Sequence, residues 1–356
     1  MRIYELDAFR GVAAMAVLMY HYTTVYDKIF DTTSIFNFSY GWMGVPLFFI
    51  LSGFVITLTI NRCKSPFDFL YRRFMRLYPT YWICLLITLS VVYKSDFKMF
   101  QLPLIDVLMN FTMVEELFGF KLVDGSYWSL LPELLFYLLM AFLMLFKKTN
   151  NVLLFNIPIL IICLIHYFWQ IPFLWRILYY LPLFMIGISF YNIYIGKKEN
   201  YFHILIVCNL ALSIFLYHKI QSSVSVKVLF ISFTSFVGLF YLFVYGKLKF
   251  LGNSKVLVFL GTISYPLYLI HENVGLIIIN YLDIYFDLRN IGIVLALIIS
   301  IVLAYVVTFY LEPPFNKIIK KLKFKFDNNK VLVLKKIRMD SFKNNSHLEA
   351  NSREII

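Results

Sequence analysis

Four ionisable side chains stand out within the long apolar stretches of this sequence, where charged groups are costly and usually mark a functional site. They are Arg10, His21, Glu133 and His271. An imidazole can take up and return a proton near neutral pH, and a carboxylate can orient it. These residue types suit proton transfer or nucleophilic catalysis. His21, Glu133 and His271 also have a structural alternative, as hydrogen-bonding partners of neighbouring helices.

The spacing of Arg10 and His21 places both side chains on one face of a helix. They are eleven residues apart, and a helix that turns 100° per residue returns nearly to the same side after eleven steps. A rise of 1.5 Å per residue separates them by roughly 16 Å along the helix axis. Such a stripe would suit a long ligand that runs from one membrane surface towards the other.

A cluster of arginines, Arg72, Arg73 and Arg76, directly precedes Tyr78 and Pro79. Basic clusters beside a membrane span anchor its orientation, and this is the default interpretation. Guanidinium groups also bind phosphates through paired N–H donors. Phosphate binding by this cluster is therefore an additional hypothesis.

The composition predicts the elements that position these residues. Apolar residues make up 61% of the chain and charged residues 15%, whereas a soluble domain carries roughly a quarter charged residues. Stretches of about 20 apolar residues can cross a bilayer as helices, which satisfy their own backbone groups. We expect an all-α, polytopic membrane protein with about ten transmembrane helices. The predicted spans are residues 9–26, 41–60, 78–94, 126–146, 152–169, 174–194, 201–218, 227–245, 257–281 and 290–311.

The distribution of lysine and arginine predicts the orientation of these spans. Of the 33 basic residues, 24 lie on the side of the two termini, eight lie on the opposite side, and Arg10 lies within the first span. The positive-inside rule therefore places both termini in the cytoplasm. The net charge of +13 follows from this distribution and does not indicate a nucleic-acid partner, because no recognition motif accompanies it.

We predict two regions, a membrane-embedded domain over residues 1–315 and a basic cytoplasmic tail, partly disordered, over residues 316–356. Residues 317–326 are expected on the inner membrane surface, where each basic residue gains on the order of 1 kcal/mol from anionic lipid. The first span is not expected to be a cleavable signal, because Asp7 and Arg10 interrupt its apolar stretch.

Depth estimates place the ionisable groups at one level. Glu133 lies about 10 Å into its span from the outer side, and His271 about 20 Å into its span from the inner side, by helix rise. His21 reaches a similar height. We therefore expect these groups to share a polar cavity.

Several segments, taken together and in order, resemble the integral membrane acyltransferase-3 family of bacterial O-acyltransferases. The resemblance covers about residues 1–320 and includes the spacing of Arg10 and His21. The matching segments are LDAFRGVAAMAVLMYH (6–21), GVPLFFILSGFVI (44–56), RRFMRLYPTYW (72–82), WSLLPELLFYL (128–138), GTISYPLYLIH (261–271) and, more weakly, LEPPF (311–315).

The resemblance implies an enzyme of the bacterial cytoplasmic (inner) membrane that takes an acyl group from cytoplasmic acyl-CoA, most often acetyl-CoA. The acyl group would end on a hydroxyl of an extracytoplasmic glycan or lipid-linked sugar. The implied partners are these two substrates and membrane lipid, with no metal ion and no nucleic acid. Some relatives carry an extra span and a secreted esterase-like domain, for which we expect this chain to be too short.

The resemblance also assigns roles to individual residues. It implies that His21 is catalytic, with Arg10 and Glu133 as companions, and that Arg72, Arg73 and Arg76 engage the phosphates of CoA. Its motifs add four further site candidates: Ser52, Trp128, Tyr268 and His271. Pro132 departs from the family pattern, and a kink there would alter the placement of Glu133.

Two mechanisms and two other classes of function stay open at this point. His21 can act as general base for the acceptor hydroxyl, or as a nucleophile that carries the acyl group as an acyl-imidazole. A transporter or flippase of a lipid-linked sugar is the main alternative, although the sequence lacks the internal repeat that transporters often show. A non-catalytic scaffold would leave Arg10, His21 and Glu133 without a purpose.

Overall fold

The computed structural model describes residues 2–34, 36–95, 97–146, 149, 151–171, 175–197 and 199–321, and these residues form helices and connecting segments without any β-strand. Ten long helices, α1 to α10, follow the ten predicted spans. In chain order they are Tyr4–Tyr20, Gly44–Ile60, Pro66–Lys94, Leu130–Leu145, Val152–Trp169, Trp175–Tyr194, Tyr201–Ile220, Val226–Val244, Lys255–Phe286 and Arg289–Val306.

Within the described part of the chain, nine helices are long and apolar enough to cross a membrane, and they correspond to α2 to α10. The chain is thus an all-α, polytopic membrane protein, as predicted. The remaining helix, α1, carries Glu5, Asp7 and Arg10 and packs inside the bundle against α9 and α2. The placement of both termini in the cytoplasm stays a prediction.

Helix α3 begins well before the predicted span 78–94. Pro66 occupies the first turn, and the Ser65 hydroxyl caps the helix by accepting a hydrogen bond from the backbone N–H of Asp68 at 3.1 Å. Proline and a serine cap are both favoured at a helix start. The predicted start of this span at residue 78 is therefore wrong, because Arg72, Arg73 and Arg76 already lie on the first turns of the continuous helix.

Helices α1 and α9 run parallel and in register. His21 contacts His271, which lies 250 positions later, and Tyr26 bonds to Asn280, which lies 254 positions later. The offset stays nearly constant, between 250 and 254 positions, which means that the two helices start at the same end of the bundle. The polar residues of α1 therefore meet those of α9 at matching heights.

Glycines allow these two helices to approach backbone to backbone. A Cβ atom at Gly261 would collide with the carbonyl oxygen of Asp7, and one at Gly275 would collide with the ring of Tyr22. Small residues at such contacts let membrane helices pack closely through van der Waals contact. The close approach brings the His21 and His271 rings face to edge, with centroids 4.8 Å apart.

His21 begins a π-helical turn, His21–Val25, that joins α1 to a short helix, Tyr26–Phe30. A π-helical turn inserts one extra residue per turn and is frequent at functional sites. The turn lets the Thr23 hydroxyl donate to the carbonyl of Met19 at 2.7 Å. It also changes the direction of the side chains that follow His21.

Other helices form the outside of the bundle. Helices α5, α8 and α10 expose large apolar side chains such as Ile161, Phe230 and Val302, as expected of surfaces that face lipid. The last described residues, 309–321, belong to a unit separate from the helix bundle. Residues 309–321 of this unit are described and helical, whereas the rest of the predicted tail lies outside the described residues. The predicted division at residues 315 and 316 stays a prediction.

The backbone contact of α1 and α9 leads to a test of stability. We expect Gly261→Ala to lower the free energy of unfolding by about 1–3 kcal/mol, because the added methyl group forces the two backbones apart. Gly238→Ala is the matched control, since nothing lies within 4 Å of a Cβ at that helical position, and alanine favours a helix over glycine. Thermal unfolding of the detergent-purified proteins measures the stability of both variants. Equal melting temperatures for the two variants would contradict the assigned contact.

Candidate functional site

Two groups of polar side chains lie along α1, one around Arg10 and one around His21. The first group lines a cavity between α1, α2, α3, α4 and α9. The second group lies further along α1, where α9 and the segment before α4 meet it. Each group contains residues that the sequence singled out.

The cavity gathers three guanidinium groups and one carboxylate, from Arg10, Arg73, Arg76 and Glu133. Its remaining wall is largely apolar and includes Phe48, Phe49, Val55, Ile56, Leu77 and Leu130. Three cations against one anion give the cavity an excess of positive charge. An apolar cavity with this excess suits an anionic ligand that also carries an uncharged chain.

Each arginine is held by a different contact. Arg10 lies 3.7 Å from the carboxylate of Asp7. Arg73 donates to the hydroxyl of Thr59 at 3.1 Å, its guanidinium lies over the Tyr137 ring at 5.7 Å, and its buried Nε atom has no hydrogen-bond partner. Arg76 lies over the Tyr265 ring at 5.5 Å. These contacts leave donor capacity directed at the cavity.

Glu133 occupies the same cavity and is held by two hydroxyl groups. Its Oε1 atom accepts from Ser52 at 2.8 Å and from Tyr137 at 2.6 Å. Ser52 comes from α2 and Tyr137 lies one turn further along α4, so the carboxylate is fixed between two helices. Pro132 lies in the first turn of α4, directly before Glu133, and the helix continues through it without a break.

Arg72 lies outside the cavity. Its side chain is 52% exposed, and its Nε atom donates to Asp68, one turn earlier on α3, at 3.0 Å. The three arginines of the sequence motif therefore divide into two that line the cavity and one that faces away from it. Arg10 joins the cavity instead.

Both ring nitrogens of His21 contact polar atoms of other residues. Its Nδ1 atom lies 2.9 Å from the carbonyl oxygen of Val17 and 3.1 Å from Nε2 of His271. Its Nε2 atom lies 3.3 Å from Oε2 of Glu272. The His21 and Glu272 side chains are largely buried, with 13% and 12% of their surface exposed.

Glu272 is held against the segment that leads into α4. Its carboxylate fills the space beside Gly125, where a Cβ atom would collide with it. Asp124 lies next to it and accepts hydrogen bonds from the backbone N–H groups of Ser126 and Asn273, both at 3.0 Å. Burial raises the pKa of Asp124 to about 7, and the neighbouring Glu272 carboxylate adds to the shift.

Further hydrogen bonds tie this segment to α9. The Tyr268 hydroxyl donates to the carbonyl of Ser126 at 2.9 Å and lies 2.8 Å from the Ser129 hydroxyl. Tyr268 also lines the cavity, and its backbone carbonyl lies 2.8 Å from Nδ1 of His271. Tyr268 therefore connects the cavity to the histidine pair. Trp128 packs against the rings of Phe49 and Tyr180.

The structure brings together some of the predicted site residues and separates others. Arg10, Ser52, Glu133 and Tyr268 share the cavity with Arg73 and Arg76, and His21 meets His271. Glu133 is not brought to His21. The hydrogen bonds of its carboxylate go to Ser52 and Tyr137, and the carboxylate on His21 belongs to Glu272.

Sequence reasoning missed Glu272 and Asp124. Glu272 lies inside the predicted span 257–281, so the criterion that singled out His271 applied equally to its neighbour. Asp124 lies two residues before the predicted span 126–146 and escaped that criterion. The only feature of the local sequence that marks Asp124 is the Asp–Gly pair that it forms with Gly125, shortly before Trp128.

Comparison with known proteins agrees with this architecture. The family model of the acyltransferase domain of the acyltransferase-3 family matches residues 3–311. Peptidoglycan O-acetyltransferase OatA of Listeria monocytogenes is 28% identical over 300 residues, which cover 74% of this chain and 44% of that protein. The chain thus spans less than half the length of this curated relative. No solved structure matches the chain. Since the family match extends over nearly all of the described residues, the chain belongs to the acyltransferase-3 family.

Proposed function

We propose that this protein transfers an acyl group, most simply acetyl, from acyl-CoA to a hydroxyl group of an extracytoplasmic glycan or lipid-linked sugar. The observation that carries the proposal is that a cationic cavity and the buried pair of His21 and His271 lie at two heights along α1. Arg10 lies in the cavity, and His21 lies eleven residues, or roughly 16 Å, further along. Family membership supports the reaction type.

The cavity supports acyl-CoA as donor. CoA carries several phosphate charges, and guanidinium groups bind phosphates through paired N–H donors. Arg73 and Arg76 supply such groups near the start of α3, and the apolar wall suits a pantetheine arm. Tyr268 lies in this wall and next to His271, so a thioester that follows the wall approaches the histidines.

His21 supports two routes for the transfer. As general base it takes the proton of the acceptor hydroxyl while the oxygen attacks the thioester carbonyl, and the CoA thiolate leaves and recovers that proton. As nucleophile it first forms an acyl-imidazole and releases CoA, after which the acceptor hydroxyl takes the acyl group. Both routes end in an ester and free CoA.

The relative supports a first choice of acceptor. Its name states that it O-acetylates peptidoglycan, so muramyl or glucosaminyl hydroxyls of cell-wall glycan are the acceptors to test first. We further propose the bacterial cytoplasmic membrane as the location, with both termini and the donor on the cytoplasmic side. The excess of basic residues on the side of the termini supports this orientation.

Replacement of the histidine tests the reaction. We expect His21→Ala to lower the rate of acyl transfer by about 10²–10⁴-fold, since the base or acyl carrier is lost. Release of free CoA and mass change of a peptidoglycan fragment, measured with purified protein and acetyl-CoA, report the rate. His203→Ala is the control, because His203 bonds to Tyr241 on α8 and does not line the cavity. Near wild-type transfer by a folded His21→Ala variant would contradict the proposal, as would an absence of CoA release by the wild type.

The arginine motif provides a second test with an internal control. We expect Arg73→Gln and Arg76→Gln each to raise the apparent KM for acetyl-CoA by about 10–100-fold, because each removes a charged hydrogen-bonding partner of a phosphate worth about 1.5–3 kcal/mol. Arg72→Gln should change it less than about twofold, because that side chain is exposed and paired with Asp68. Initial rates over a range of acetyl-CoA concentrations give these values. Equal effects at all three positions would show that the cavity is not the donor site.

A further inference from the structure

We infer that Glu272 is a catalytic residue that shares one proton with His21 and receives the proton of the acceptor hydroxyl. The inference rests on the proposed function and deepens it, since it assigns a role to a residue that no motif singled out. It is carried by the arrangement of donors and acceptors around the two imidazoles of His21 and His271.

The hydrogen-bond partners determine which nitrogens carry protons. The Nδ1 atom of His271 faces the carbonyl oxygen of Tyr268 at 2.8 Å, and a carbonyl oxygen can only accept, so this nitrogen carries a proton. In a neutral imidazole the other nitrogen is then an acceptor. The Nε2 atom of His271 thus accepts from Nδ1 of His21, at 3.1 Å.

The same reasoning fixes His21. Its Nδ1 atom faces two acceptors, the carbonyl oxygen of Val17 and Nε2 of His271, and therefore carries a proton shared between them. If His21 is neutral, its Nε2 atom is an acceptor. That atom lies 3.3 Å from Oε2 of Glu272, which is an acceptor when ionised.

One proton must therefore lie between His21 and Glu272. Two lone pairs at this distance in a largely buried site would repel each other, and burial without a partner is costly for both groups. The pair is either an imidazolium with a carboxylate or an imidazole with a carboxylic acid, and both forms contain the same single proton. Oε2 of Glu272 has no other hydrogen-bond partner among the described residues. A proton shared with Nε2 of His21 therefore supplies the hydrogen bond that this buried oxygen needs.

The surroundings keep the Glu272 carboxylate in place. Gly125 leaves room for it, and Asp124 binds the backbone N–H of the next residue, Asn273. The carboxylate therefore cannot turn freely away from His21. Glu133, by contrast, is held by Ser52 and Tyr137 in the cavity.

This pair can complete one transfer without a net change in protons. With the pair as imidazolium and carboxylate, the acceptor hydroxyl gives its proton to Oε2 of Glu272 as its oxygen attacks the thioester carbonyl. The carbon–sulfur bond breaks, and the CoA thiolate takes the Nε2 proton of His21. The proton on Glu272 then passes to Nε2 of His21, which restores the pair and leaves an ester and free CoA.

Conservative substitutions test this role in the acetyl-CoA assay. We expect Glu272→Gln to lower kcat on the order of 100-fold or more with the KM for acetyl-CoA within about twofold, because a glutamine amide can still donate to Nε2 of His21 but cannot accept and return a proton. Glu272→Asp should recover part of the loss, since it restores the carboxylate at a longer reach. Asp283→Asn is the control and should leave kcat unchanged. Asp283 is another carboxylate of α9, and it accepts a hydrogen bond from Tyr26 on the short helix Tyr26–Phe30. A kcat of Glu272→Gln within about threefold of wild type would overturn the inference.

A stability measurement tests the pairing without any activity. Melting temperatures of His21→Ala, Glu272→Gln and the double variant form a double-mutant cycle, and we expect the double variant to depart from additivity by at least about 2 °C. The same cycle with Glu133→Gln should be additive, because Glu133 and His21 share no contact partner among the hydrogen bonds and ion pairs described here. If the wild type released no CoA, the proposed function would fail, while this cycle would still decide the pairing. Additivity of His21 and Glu272 would overturn it.

Discussion

The close backbone contact between α1 and α9 is the constraint on which the candidate site depends. Gly261 lies against the carbonyl of Asp7, and at that distance no side chain fits between the two helices. Because the helices are parallel and in register, the same contact places His21 beside His271 ten residues further along α9. A shift of one helix by a single residue would turn these rings about 100° apart. The geometry of the histidine pair is therefore a consequence of helix packing.

The segment between α3 and α4 completes the second polar group. Asp124, Ser126 and Tyr127 hydrogen-bond to α9, and Gly125 receives the Glu272 carboxylate. In a membrane interior such polar groups are stable only when they satisfy one another. The network thus holds α9 at the height where His271 and Glu272 face α1. Both side chains of the His21–Glu272 pair are mostly buried in it.

The two groups of the site differ in charge: the cavity carries mainly positive side chains, and the carboxylates beside the histidine pair carry negative charge when ionised. Arg10, Arg73 and Arg76 make the cavity cationic, with Glu133 as its one carboxylate. The second group contains carboxylates, Asp124 and Glu272, together with imidazoles. In the proposed reaction the first group attracts an anionic donor, and the reactive end of that donor lies near the imidazoles and carboxylates of the second group. Tyr268 belongs to both, because its side chain lines the cavity and its backbone accepts from His271.

The sequence by itself determined the all-α membrane fold, because long apolar runs can be satisfied only as helices in a bilayer. It also placed Arg10 and His21 on one helix, since helical geometry is local. Tertiary structure decided which groups meet. Periodicity gives a residue's face and approximate depth but not the neighbouring helix, so Glu133 was expected beside His21, where Glu272 lies. Likewise, the three arginines of the motif look alike in sequence. Only the rotation of α3 against its neighbours turns Arg72 outward and the other two into the cavity.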